Sequence, residues 1–95
     1  MTLAEFSATL ESNVPPAVNP ALVALWHDAK GNWEAAHNTA QAIEDANGAW
    51  VHAYLHRKEG DESNAGYWYR RAGKPMARDP LYAEWERIVT ALLSE

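Results

Sequence analysis

The chain has 95 residues, 47% of them hydrophobic, a net charge of −5 and a sequence pI near 5.3. This length predicts a single domain, residues 1–95, and the hydrophobic content argues against disorder. The acidic balance disfavours nucleic acid and anionic membranes as partners, and the absence of cysteine excludes disulfides and thiolate zinc sites. No apolar run approaches the roughly 20 residues of a membrane span, and the start of the chain lacks the basic flank of a signal peptide. We therefore expect a cytoplasmic protein.

Residues 1–18 predict a short helix followed by a proline-rich connector. Thr2 and Glu5 have the spacing of a capping box ahead of an apolar helix face. Two prolines within residues 14–19 forbid helical hydrogen bonds. The pair Asn19–Pro20 then places a cap before a proline at the first helical position. An apolar stripe follows and ends at Gly31: Leu22, Leu25, Trp26 and Ala29.

The rest of the chain predicts four more helices. Asn32 caps the first of them, and Asn47–Gly48 breaks the chain before a helix that runs from about Trp50 to Glu59. Gly60–Asp61 ends that helix and caps the next. Asp79–Pro80 repeats the cap-plus-proline device before a last helix within residues 79–95. No segment alternates as a strand does, so the predicted fold class is all-α with about six helices.

Small residues recur 29 positions apart within residues 19–73. Small side chains at fixed places let two helix axes approach closely, and a glycine makes the tight turn between them. Together with Trp33-Glu34-x-Ala36, the pattern resembles the tetratricopeptide and Sel1-like helical repeats, here with two units and a period of 29 rather than about 34. The resemblance implies two helical hairpins and a capping helix over residues 79–95. The matching pairs are Ala24 and Ala53, Gly31 and Gly60, Ala36 and Ala65, Ile43 and Ala72.

A second resemblance covers the segment from His52 to Arg71. The run from His52 to Asp61, followed by Asn64-Ala65 and then residues 67–71, is similar to a family of small uncharacterised all-α proteins. This resemblance implies no function.

His52 and His56 are the strongest candidates for site residues. They lie four positions apart on one predicted helix, so both rings project to the same side, and Glu59 continues that strip. Two histidines at this spacing are half of a zinc or iron site. Glu59 completes the candidate metal set, or else His37 or Glu34 from a neighbouring helix does. The alternative is a pair of partly exposed structural histidines, each bonded to a neighbouring helix or a backbone carbonyl.

Arginines supply the alternative to a metal ion. Arg57 falls on the Trp50 side of the helix, where its charge must be buried, paired or stacked on a ring. An arginine beside two protonated histidines favours an anion or carboxylate ligand over a metal ion. A second candidate anion-binding site consists of Tyr67, Arg70 and Arg71. Alternatively, the two arginines pair with nearby carboxylates and cover aromatic surface.

Two functions remain open at the level of sequence. Small size, acidity and aromatic surface favour a protein–protein interaction module, including self-association. Two hairpins leave edge surface that a longer solenoid would cover, so we expect a homo-oligomer, with a two-fold dimer favoured. The alternative is a small-molecule, anion or metal-binding protein, with an enzymatic role left open, that uses the region of His52, His56 and Arg57, with His37 as a further candidate. Catalysis has little support because phosphate-loop and nucleophile motifs are missing, and we expect no cofactor other than a metal ion.

Overall fold

The computed structural model describes all 95 residues and contains helices without any β-strand, which confirms the predicted all-α class. None of the helices combines the length and the hydropathy needed to cross a membrane. The elements are α1 (Leu3–Ala8), a 3₁₀ turn (Thr9–Glu11), α2 (Pro20–Ala29), α3 (Trp33–Gln41), α4 (Ala46–Lys58), α5 (Glu62–Ala72) and α6 (Leu81–Leu93).

Polar caps and glycine turns define the helix ends, largely where the sequence predicts them. The side chains of Thr2, Asn19, Asn32 and Asp61 each accept a hydrogen bond from a backbone N–H three residues further along. The turns that close the two hairpins have the same backbone form. Gly31 has φ +83° and Gly60 has φ +87°, a left-handed conformation that side chains disfavour.

Two predicted helix starts are wrong in detail. Asn47 and Gly48 do not break the chain, because Asp45 caps α4 by accepting a hydrogen bond from the Gly48 N–H at 3.0 Å. Gly48 instead permits a close approach, since a Cβ there would lie 2.5 Å from the Ile43 carbonyl oxygen. The start of α6 has no side-chain cap. Asp79 instead accepts hydrogen bonds from the Arg87 guanidinium at 2.6 and 3.2 Å.

The helices pack as two hairpins and a cap. Helix α2 packs against α3, α4 packs against α5, and the hairpins meet mainly through α3 and α4. Helix α6 lies across α1, α2 and α4, the position implied for a capping helix. The repeat positions Ala24, Ala36, Ala53 and Ala65 are fully buried, as close helix packing requires. Membership of a tetratricopeptide-like repeat family stays a prediction.

Helix α4 is the central element of the fold. Every residue from Gly48 to His56 is buried, because α3, α5 and α6 surround this helix. Its polar side chains must therefore find partners inside the protein or at the helix junctions. The candidate site follows from this position.

Candidate metal site

Three histidines converge where the two hairpins meet. His52 and His56 project from α4 and are only 4% and 9% exposed, and His37 projects from α3 towards them. One ring nitrogen of each residue lies within 4.8 Å of the others. The structure thus brings together three of the residues proposed from sequence, and it buries the pair expected to be partly exposed.

The contact between His37 and His52 is the closest in the cluster. Their Nε2 atoms lie 2.9 Å apart, a distance at which one nitrogen carries a proton and donates it to the other in the metal-free protein. In a tetrahedral site with Zn–N bonds of about 2.0–2.1 Å, two ligand nitrogens are separated by about 3.3 Å. A metal ion that replaces the shared proton therefore fits between these rings after small movements.

His56 is held by a carboxylate on its other side. Its Nδ1 lies 2.6 Å from Glu59 Oε1. An ionised carboxylate only accepts hydrogen bonds, so Nδ1 carries the proton and Nε2 is the nitrogen left to bind a ligand. Asp61 lies near this pair, yet both of its oxygens accept hydrogen bonds from Asn64, at 3.2 and 2.8 Å, which hold its pKa below the usual range.

Two tryptophans form the walls of the cluster. Trp33 stacks on His37 with ring centroids 4.8 Å apart, and Trp68 stacks on His52 at 4.0 Å. The indole N–H of Trp33 donates to the Leu55 carbonyl at 2.9 Å, which fixes that wall. Both tryptophans are partly buried and pack against the core, and the sequence did not predict their contact with the histidines. The spacing of Trp33 and His37, four residues apart on one helix, was the available signal.

Burial keeps two of the rings uncharged near neutral pH. Burial first, and then the neighbouring His37 and His56, lower the pKa of His52 to about 4. Burial and the nearby His56 also lower the pKa of His37, against an opposing effect of Glu59. Neutral imidazoles are the form that binds metal ions.

Arg57 lies outside the cluster. Its guanidinium turns towards α6, where it donates to the Glu84 carboxylate at 2.8 Å and to the Asp79 carbonyl. The Arg57 charge is thus paired with the Glu84 carboxylate, as its position on the Trp50 side of the helix requires. However, the predicted combination of Arg57 with His52 and His56 does not form, so the anion hypothesis loses its fixed cation.

The second predicted anion-binding site, formed by Tyr67, Arg70 and Arg71, is also separate from the histidines. Arg71 donates to the Tyr67 hydroxyl at 3.1 Å and lies over the Trp68 ring at 5.2 Å, so it covers aromatic surface. Arg70 is exposed, and neither arginine pairs with a carboxylate. Glu34 is exposed too and contributes no ligand atom to the cluster.

Two buried carboxylates on the other side of α4 escaped the sequence reasoning. Glu84 is 1% exposed and accepts hydrogen bonds from the Tyr69 hydroxyl at 2.6 Å and from Arg57. Asp28 is 3% exposed and accepts from the Tyr54 hydroxyl at 3.1 Å and from Lys58 at 2.8 Å. Burial, reinforced by these carboxylates, raises the pKa of both phenols. The signal for Glu84 was its position within the apolar stripe of α6.

Comparisons with protein-family models, with curated proteins and with solved structures find no match to this chain.

Proposed function

We propose that this chain binds a divalent transition-metal ion, with His37, His52 and His56 as its protein ligands. The observation that carries the proposal is the convergence of three imidazole nitrogens, from two helices, within 4.8 Å. Three histidines with a fourth position open to water are a known zinc arrangement. Imidazole ligands suit zinc, copper and nickel, whereas magnesium and calcium prefer oxygen.

The charges around the cluster favour a cation over an anion. The depressed pKa values of His37 and His52 leave these rings uncharged near neutral pH, so they offer lone pairs rather than positive charge. Arg57 is engaged by Glu84 and does not oppose a cation at the histidines. The net charge of −5 also attracts cations to the protein.

Metal titration of the purified, metal-free protein tests the proposal. We expect one zinc ion per chain, one cobalt ion with the visible spectrum of four-coordination, and no binding of magnesium under the same conditions. His37→Gln removes one ligand and should weaken zinc binding by more than the roughly 10–100-fold typical of losing a residue that hydrogen-bonds to a ligand.

His27→Gln is the matched control, because His27 is a half-buried histidine outside the cluster. It should bind zinc like the parent. Absence of zinc binding at micromolar concentrations, or equal affinities of the two variants, would contradict the proposed function.

Self-association is a second candidate, and one feature of the surface favours it. A cleft of about 370 Å³ is lined mainly by apolar side chains, among them Leu10, Leu81 and Trp85, and also by the charged residues Asp28, Lys58 and Glu86. Tyr82, also in its lining, is 71% exposed. A protruding ring beside an apolar cleft on the same face suits a two-fold dimer, in which each copy offers both parts.

Sedimentation from micromolar concentrations upward tests this candidate. Tyr82→Glu should convert a dimer into a monomer, because a carboxylate would have to enter a mainly apolar cleft whose one cation, Lys58, is already paired with Asp28. Tyr67→Glu changes another exposed tyrosine, away from the cleft, and should leave the dimer intact. A monomeric parent at all concentrations would end the dimer hypothesis and leave the metal site untouched.

A further inference from the structure

We infer that Glu59 is a positioning residue of the metal site: its carboxylate holds the Nδ1–H of His56 and thereby directs Nε2 to the metal ion. The inference rests on the proposed function and adds to it a residue that does not itself touch the ion. It also predicts that the site holds one ion rather than two.

The geometry of the helix end sets up this contact. His56 lies in the last turn of α4, and Glu59 is the C-terminal cap residue of the same helix, three positions later. The Glu59 backbone N–H donates to the Leu55 carbonyl at 3.2 Å, which fixes the start of the side chain. The carboxylate then reaches His56 Nδ1 at 2.6 Å, a short contact of the kind made by hydrogen bonds with a charged acceptor.

The different exposure of the two side chains places the Glu59 carboxylate on the solvent side of the His56 ring. The His56 side chain is 11% exposed and that of Glu59 is 38% exposed, so the carboxylate covers the outer edge of the ring. Metal-bound histidines commonly donate their other N–H to a carboxylate, which fixes the tautomer and raises the basicity of the ligating nitrogen. Glu59 supplies that partner for one of the three histidines.

The neighbouring carboxylate of Asp61 does not create a second metal site. His56, Glu59 and Asp61 also lie within 4.8 Å of one another. However, both Asp61 oxygens accept hydrogen bonds from Asn64 as part of the cap of α5. The Nδ1 of His56 is engaged by Glu59, so this group has no free nitrogen ligand, and we expect a stoichiometry of one ion per chain.

The tautomer of His56 tests the contact without any metal. In metal-free protein, ¹⁵N NMR of the parent should show His56 with its proton on Nδ1. Glu59→Ala should shift this ring towards a mixture of tautomers, and Glu59→Gln should shift it less, because the amide oxygen still accepts a hydrogen bond. Glu62→Ala is the matched control, since it removes an exposed glutamate at the start of α5 and should leave the His56 signals unchanged.

Zinc affinity tests the positioning role in the same four proteins. Glu59→Ala should weaken zinc binding by about 10–100-fold, the range for losing a residue that hydrogen-bonds to a metal ligand. Glu59→Gln should fall between Glu59→Ala and the parent, and Glu62→Ala should match the parent. In the zinc complex of the parent, the Nδ1–H signal of His56 should persist with protection from exchange.

The outcomes separate the two proposals. If the parent binds zinc and Glu59→Ala binds it equally tightly, the positioning role is overturned and the metal site stands. If the Nδ1–H signal disappears when zinc binds, Glu59 is itself a ligand and the inference is again overturned. If the parent binds no metal although Glu59→Ala changes the tautomer, the metal site fails and the inference fails with it.

Discussion

Helix α4 presents polar side chains to the protein interior on two sides, and the partners on the two sides differ in kind. On the carboxylate side, formed by Arg57, Lys58, Asp28 and Glu84, each buried carboxylate accepts hydrogen bonds from one tyrosine and one cation. On the histidine side, formed by His37, His52 and His56, three basic rings face one another, and the charged partner is Glu59 at the outer edge.

The difference indicates separate roles for the two sides. The carboxylate side is complete within the chain, because each charge has an opposite charge and a phenol beside it. The histidine side contains three potential ligands of the same kind, and in the proposed metal site a bound cation is their shared partner. We therefore assign a structural role to the matched buried charges and propose metal binding only for the convergent histidines.

The largest expected effect is on the carboxylate side. Arg57→Met should lower the free energy of unfolding by about 3–5 kcal/mol, because it leaves the Glu84 carboxylate buried without its cation. Urea denaturation of the metal-free protein measures this change. Arg70→Met, at an exposed position, should change stability by no more than about 0.5 kcal/mol. If Arg57→Met lowered the free energy of unfolding by less than about 1 kcal/mol, the structural role of the carboxylate side would be contradicted.

Zinc should stabilise the protein through the histidine side alone. At a free zinc concentration 100-fold above the dissociation constant of the zinc complex, we expect the free energy of unfolding of the parent to rise by about 2.7 kcal/mol. His37→Gln should lose this gain, while Arg70→Met should keep it. Thermal unfolding with and without zinc gives both values, and an equal gain in His37→Gln would show that the ion binds elsewhere.

Lys58→Met should have a smaller effect than Arg57→Met. Asp28 keeps the hydrogen bond from Tyr54, and the Lys58 side chain is 38% exposed, so water reaches the pair. We expect a loss of about 1–3 kcal/mol, as for a charged group that loses one partner. Urea denaturation of Lys58→Met and Arg57→Met measures both losses. A larger loss for Lys58→Met would show that burial does not govern the strength of these ion pairs.

A fourth effect concerns the pH dependence of the metal-free protein. The folded-state pKa of His52, about 4, lies below its ordinary value of 6.5, so the unfolded chain takes up a proton first as the pH falls. This contribution to stability is complete above pH 6.5 and is lost progressively between pH 6.5 and 4. The titratable groups that face His52 are His37 and His56.

Denaturation across that pH range checks the direction. His52→Gln should flatten the decline in stability between pH 6.5 and 4, and the control His27→Gln should retain it. Stability that rises on acidification through this range would contradict the burial of His52 as a neutral ring.

The helices were predictable because their signals are local. Thr2, Asn19, Asn32 and Asp61 cap helices within three residues of themselves, so the sequence contains the whole interaction. The start of α4 was not predictable in this way. Gly48 is read as a helix breaker, and only its contact with Ile43 in the folded chain shows why glycine is needed inside that helix.

The site was predictable in part, for the same reason. The spacing of His52 and His56 places both rings on one side of a helix, whereas the arrival of His37 depends on how α3 packs against α4. The direction of Arg57 likewise depends on Glu84, 27 positions away, which no local pattern connects to it. Side-chain contacts between different helices depend on tertiary packing, and the periodicity of a single sequence does not reveal them.

The 29-residue spacing has a consequence for redesign. His56 has His27 as its counterpart in the first hairpin, and His37 has Gly66 as its counterpart in the second. The two hairpins share their buried alanines and left-handed glycine turns but differ at two of the three ligand positions, where Val23 corresponds to His52 and Gly66 to His37. A Cβ added at Gly66 would meet only ordinary contacts, the nearest at 3.6 Å. The second hairpin can therefore accept an alanine at position 66, the counterpart of a ligand position, while the residues that set its helix packing stay unchanged.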